Sequence, residues 1–147
     1  MSIVDRIQED QKRALKAGEK ERLSALRLLS SELKNRRIEL RRDLSDDDAI
    51  EVLLRALKQR RESEEQFTKG GRPELAAREA AEAEVIRGYL PEPLADEELD
   101  GMIDAAIAEA GATSLKDMGA VMGRLMPTVK GRAEGSVVSA RVKERLG

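Results

Sequence analysis

The chain has no histidine, no cysteine and no tryptophan, and only one tyrosine and one phenylalanine among its 147 residues. Without histidine there is no imidazole base at neutral pH, and without cysteine no thiolate nucleophile, disulfide, or cysteine-ligated zinc or iron–sulfur centre. Most familiar catalytic constellations are thereby excluded. So few aromatics cannot build the platform on which single-stranded RNA bases are usually stacked, so any nucleic-acid binding must rest on phosphates and shape. No apolar run approaches the roughly 18 residues of a spanning helix, and the opening MSIVDRIQED is charged from Asp5 onward. These absences give the expectation of a soluble, cytoplasmic protein with no membrane association, no metal site and no cofactor.

Charge, by contrast, is abundant. Lys and Arg number 27 against 29 Asp and Glu, a net −2, and charged residues make up 38% of the chain. Leu, Ile, Val and Phe supply about 23%, above the roughly 20% below which highly charged chains stay disordered. A folded protein with a thin core is expected.

The apolar residues recur at helical spacing and nowhere alternate as a half-buried strand would, so the expected fold is all-α. Ile3, Val4, Ile7, Ala14 and Leu15 mark a first helix closing at Gly18, and Leu23, Leu26, Leu29, Leu33 and Ile38 a second ending at Arg41–Arg42. Ser45 followed by three aspartates is a strong start for a third helix, carrying Ile50, Leu53, Leu54, Leu57 and Phe67. Gly70–Gly71 breaks it, and Pro73 suits the first turn of a fourth, with Leu75, Ala76, Ala83 and Ile86. Pro91 and Pro93 then interrupt the helical pattern. The expected organisation is an N-terminal helical domain over residues 1–90, a Pro-containing linker over 91–95, and a three-helix tail domain over 96–147. In the tail, Asp96 caps a helix with Leu99, Met102, Ile103 and Ile107, and Ser114 with Asp117 opens one that Pro127 ends. The last begins near Ser136 and buries Val138, Val142 and Leu146.

The near-neutral total hides segregation. Lys20–Arg42 holds eight basic residues against three acidic, Pro91–Leu115 seven acidic and none basic, and Lys116–Gly147 seven basic against three acidic. Two basic surfaces are expected. The carboxylate clusters sit at helix starts or on polar faces, where capping and solvation account for them. Ser45, Ser114 and Ser136 read as caps rather than nucleophiles, no phosphate-loop motif occurs, and Gly119 and Gly123 read as positions of close helix packing. The most informative segment is Pro127–Ser136. Its two glycines let the backbone approach an anion, free amides begin the next helix, and Lys130 and Arg132 add charge. Arg141 and Arg145, four apart, share a face of the last helix, with Arg124 as a further cation. A second basic surface would draw on Lys34, Arg36, Arg37 and Arg41.

Leu26-Arg27-Leu28-Leu29, Lys34-Asn35, Lys58-Gln59-Arg60-Arg61-Glu62-Ser63, Gly71-Arg72, Glu79 with Glu82, Tyr89-Leu90-Pro91, Met118-Gly119-x-Val121-Met122 and Lys130-Gly131-Arg132-Ala133 follow one another across nearly the whole chain. In this order and spacing they resemble the GatB/YqeY family, most closely its free-standing YqeY-like members. The stretch from Gly119 to Ala133 is similar to the tail of the B subunit of the tRNA-dependent amidotransferase, which converts misacylated Glu-tRNA or Asp-tRNA to the amide form. Domains similar to these are also appended to some glutaminyl-tRNA synthetases, as an aid to tRNA binding. The resemblance implies an all-helical two-domain protein that recognises the body of tRNA. It carries over Gly119, Met122, Lys130, Gly131, Arg132 and Ala133 as matched positions, with the basic pair at phosphate and Met122 in packing. Two departures stand out: Pro93 where members commonly have Gln, and Arg41–Arg42 in place of a small or glycine-containing stretch.

The leading expectation is a non-catalytic tRNA-binding accessory protein that contacts the tRNA backbone through Lys130, Gly131, Arg132, Arg141, Arg145 and Arg124. The acidic segment from Asp96 to Glu109 must then face away from RNA, and DNA is not an expected partner. The alternative is a helical protein-interaction module docking on a tRNA synthetase or amidotransferase. A third reading, a carbon–nitrogen ligase with glutamine as amido-N-donor, rests on family association only. The kinase-like catalytic cradle of the amidotransferase has no counterpart in these residues, and no catalytic residue is assigned.

Overall fold

The computed structural model describes residues 1–147 as seven α-helices and one 3-10 turn, with no strand. They are α1 (Ile3–Ala17), α2 (Lys20–Leu40), α3 (Asp46–Lys69), α4 (Pro73–Arg87), α5 (Asp96–Ala110), the turn Leu115–Asp117, α6 (Met118–Val129) and α7 (Gly135–Leu146). The fold is all-α.

The helix ends follow from local chemistry. Ser2 and Ser45 each accept a hydrogen bond from the amide three residues on, and Asp5 and Asp48 reach back to the amide of the capping serine. These reciprocal boxes satisfy amides that a helix start leaves free. Arg42 clasps the Asp48 carboxylate in turn, and that bond with those from Ser45 holds Asp48 well below the usual carboxylate range. Gly18 and Gly111 close α1 and α5 in the left-handed region. Arg41 closes α2 at φ 56°, the one non-glycine residue at positive φ. A side chain there is strained, because Cβ approaches the carbonyl. Arg41→Gly is therefore expected to raise stability by about 1 kcal/mol, read as a higher midpoint in urea with an unchanged slope.

Four helix-level expectations need correction, one being Ser136, which lies inside the first turn of α7 and does not cap it. Pro127 does not end its helix: α6 runs two residues further because Val129 is fully buried and Thr128 and Lys130 bond back to the carbonyls of Leu125 and Met126. Asp96 is the first residue of α5 rather than its cap, its carboxylate being taken by an arginine of α7. Leu15 and Ile38, assigned to apolar faces, are mostly exposed.

The chain divides into two compact units, Met1–Leu90 and Pro91–Gly147. In the first, α1 packs on α2 and α3 on α4, while α2 touches both α3 and α4. Ile7, Leu26, Leu29, Leu53, Ala49 and Ala83 form its centre, each large side chain contributing about 1.5–3 kcal/mol of burial. The second unit surrounds Ile103, Val121, Val129, Val138 and Val142 with α5, α6 and α7. The expected linker 91–95 is stitched to this unit: Leu94 packs on its core, and the Leu94 amide donates to the Arg132 carbonyl at 2.9 Å.

Tyr89, the sole tyrosine, pins the end of the first unit to α1. Its ring is buried under the Arg6 guanidinium, 5.3 Å from the centroid, and its hydroxyl donates to Asp10 Oδ2 at 2.5 Å. Burial first, then the Asp10 hydrogen bond, push its pKa up to about 12. Because the folded value lies above the unfolded one, this contribution is complete below about pH 10 and is lost as pH rises toward 12. A phenolate absorbance titration is expected to show one midpoint near 12; a midpoint at 10 would contradict the buried pairing.

Candidate nucleic-acid interface

The tail loop is built by backbone bonds. The amides of Arg132 and Ala133 both donate to the Val129 carbonyl, and Gly131 between them and α6 takes φ 79°, which glycine alone adopts without cost. Lys130, half-buried, ends α6 just before that glycine. Arg132 turns inward: its Nε donates to the Glu92 carbonyl at 3.0 Å, and its guanidinium lies 3.9 Å from Glu98. Beyond the loop, α7 begins at Gly135 with no side-chain cap and no acidic residue in its first turn.

Arg141 and Arg145 do share a face, but that face is turned to α5. Arg141 bonds Asp100 at 3.0 Å and Asp96 at 2.9 Å, while Arg145 bonds Asp104 and lies 3.5 Å from Asp100. The hydrogen bond to Asp100, followed by the charge of Asp96, raises the already high Arg141 pKa. Arg124 of α6 lies 3.9 Å from Glu109 of α5. The acidic helix, expected only to face away from RNA, is therefore the main partner of the candidate cations. The signal was present in the sequence: Asp96, Asp100 and Asp104 recur every four residues, matching the spacing of Arg141 and Arg145.

Gly119 and Gly123 also depart from expectation. They lie on the exposed side of α6, where an added Cβ would meet nothing within 4 Å, so close helix packing does not explain them.

The second basic surface separates into two parts. Arg36 is half-buried and bonds Glu39 at 2.8 Å, whereas Lys34, Arg37 and Arg41 are exposed along another side of α2. Arg37 pairs at the surface with Asp43 at 3.0 Å, and Lys34 and Arg41 stand outside any ion pair.

A separate charged cluster joins α2, α3 and α4. Arg60 lies 3.1 Å from Glu82 and 3.3 Å from Glu79, about a fifth of each side chain remaining exposed, and Glu32 lines the same small cavity. Arg60 Nε and Glu79 Oε2 are buried without completing a hydrogen bond, so that contact is coulombic. Desolvation raises the pKa of both Glu32 and Glu79 against the lowering effect of Arg60. Glu79 and Glu82 thus have a structural use.

The sequence profile of the family described as Yqey-like protein matches residues 4–146. "Altered inheritance of mitochondria protein 41, mitochondrial" of Pyrenophora tritici-repentis is 28% identical over 99% of this chain and 81% of its own length. The protein of the same name in Lachancea thermotolerans is 31% identical over 74% of this chain and 60% of its own length. That of Saccharomyces cerevisiae strain YJM789 is 25% identical over 97% and 83% respectively. These relatives are named as mitochondrial proteins, which overturns the cytoplasmic location expected from the sequence. An all-helical architecture, the ordered motifs from Leu26 to Ala133 and a profile match over almost every residue converge: the chain belongs to the YqeY-like protein family.

Proposed function

We propose that this protein is a non-catalytic tRNA-binding accessory protein of the GatB/YqeY type, with tRNA phosphates seated at the amino end of α7. The observation that carries this reading is the start of that helix. The Glu134 side chain does not cap the helix, the first turn lacks acidic residues, and Gly135, Ser136 and Val137 are exposed. Three amides there can donate to an anion at the positive end of the helix dipole. Lys130 and the left-handed Gly131 lie in the preceding loop, held by the bonds of Leu94, Arg132 and Ala133. Arg132 supports the loop rather than the ligand.

The test is fluorescence anisotropy with unfractionated tRNA between 50 and 200 mM salt, comparing wild type with Lys130→Glu/Ser136→Asp. An acidic residue in the first turn favours the helix while repelling phosphate, so the variant separates folding from binding. Affinity is expected to fall about tenfold or more, with a shallower salt slope, as two contacts are lost. Equal binding by both proteins would overturn the site.

One observation favours a second reading, docking on a tRNA synthetase or amidotransferase. Arg124, Arg132, Arg141 and Arg145 all have carboxylate neighbours within the tail, which leaves fewer cations for RNA. A pull-down surviving nuclease treatment, with no tRNA affinity in the purified protein, would select it.

A further inference from the structure

We propose that the groove between α1 and α2 is a second phosphate-contacting surface that takes the backbone of a folded RNA; this rests on the RNA-binding reading above and adds a surface in the first unit. Charge is distributed unevenly around α2. At about 100° per residue, Lys20, Arg27, Lys34 and Arg37 fall within an arc of roughly 100°, Arg41 follows at the helix end, and Arg22 and Arg36 lie on the opposite side. Glu21, Glu32 and Glu39, the acidic residues of the same helix, fall within about 20° of one another on its far side.

The contacts agree with this division. Glu32 lines the cavity with Arg60, and Glu39 bonds Arg36, so both acids are occupied away from the cationic side. Lys20, Arg27, Lys34 and Arg41 are all exposed and recur every seven residues, which keeps them on one slowly drifting line. Over the 21 residues of α2 that line extends about 31 Å.

The groove beside this line adds a second wall. Gln8, Gln11, Lys12 and Leu15 of α1 face Leu23 and Arg27 of α2. Further along, Gln11 faces Ser30, Lys34 and Arg37. The carboxylates that line it, Asp5 and Asp43, belong to this second stretch, and the stretch holding Lys12 and Arg27 has none. Ser30 Oγ donates to Gln11 Oε1 at 2.7 Å, which leaves the Gln11 amide protons to donate outward. A cationic line flanked by neutral donors, with no aromatic platform, suits the phosphates and 2′-hydroxyls of a folded RNA better than unstacked bases.

The test uses the full chain and the same anisotropy assay with tRNA. Arg27→Glu/Lys34→Glu reverses two exposed cations that hold no ion pair, and Lys58→Glu/Lys69→Glu makes the same change in charge on α3. Circular dichroism is expected to show equal helicity in all three proteins. The groove pair should lose about tenfold or more in affinity and reduce the salt slope by about two, well beyond the α3 pair. If wild type binds and the two pairs weaken binding equally, the groove proposal fails while the RNA reading stands. If wild type shows no salt-dependent tRNA binding, the RNA reading fails and the groove with it. Binding to vesicles of anionic phospholipid but not to tRNA would overturn both in favour of a membrane surface.

Discussion

Arg60→Ala is expected to destabilise the N-terminal unit by about 2–4 kcal/mol. The guanidinium lies between Glu79 and Glu82, each side chain about four-fifths buried, with Glu32 lining the same cavity. Removing one partner of a fully buried ion pair costs roughly 3–5 kcal/mol, because the remaining charge is left desolvated; residual solvent access lowers the figure here. The deficit should depend on pH in a defined direction. Desolvation already raises the Glu32 and Glu79 pKa values above the ordinary 4.5, and losing Arg60 removes the charge that opposes the rise. A carboxyl whose folded pKa is raised binds its proton more tightly in the native state, so stability is lost as pH climbs through the folded value. Urea midpoints for the variant should therefore approach those of wild type below about pH 4.5 and fall furthest behind near neutrality. Glu79→Gln in the Arg60→Ala background should recover part of the loss. A uniform deficit across pH would mean that Arg60 acts through packing of its methylene stem alone.

The all-α class and most helix ends could be read directly from residues, because capping is local chemistry. Ser45 with Asp48, Ser114 with Asp117 and Gly18 each act within a few positions of themselves. Leu15 and Ile38 were not legible in the same way. Both lie at helical spacing, yet burial depends on which neighbouring helix covers that part of the surface, and nothing covers them. Pro127 illustrates a contest between local and tertiary terms: its missing amide argues for termination, while burial of Val129 sustains two more residues of helix. The candidate interface was the least legible feature. The charges of α5 and α7 were each visible as a local excess, but whether they oppose RNA or one another depends on packing. The four-residue repeat shared by Asp96, Asp100 and Asp104 with Arg141 and Arg145 indicated the second outcome.

Ile103→Ala should have the larger consequence for the tail. Ile103 is fully buried among Leu99, Val121 and Val142 in a core that shares no residue with that of Met1–Leu90. Deleting such a side chain costs about 2–5 kcal/mol when the cavity does not collapse. At roughly 0.05–0.15 kcal/mol per residue, a unit of the length of Pro91–Gly147 holds only about 3–9 kcal/mol in all. A substantial unfolded population of the tail is expected at 37 °C, seen in amide spectra as collapse of the signals from 91–147 while those of α1–α4 keep their positions. Loss of both sets together would show that the two units fold as one. The variant also discriminates between charge and geometry in RNA binding. Unfolding leaves the formal charge of the tail unchanged and releases Arg124, Arg132, Arg141 and Arg145 from their carboxylates, so affinity that depends on charge alone should persist or rise. Affinity that depends on the fixed Lys130–Gly131 loop and the amides of α7 should fall by about the same factor as in Lys130→Glu/Ser136→Asp, because unfolding removes the aligned donors as well as their register.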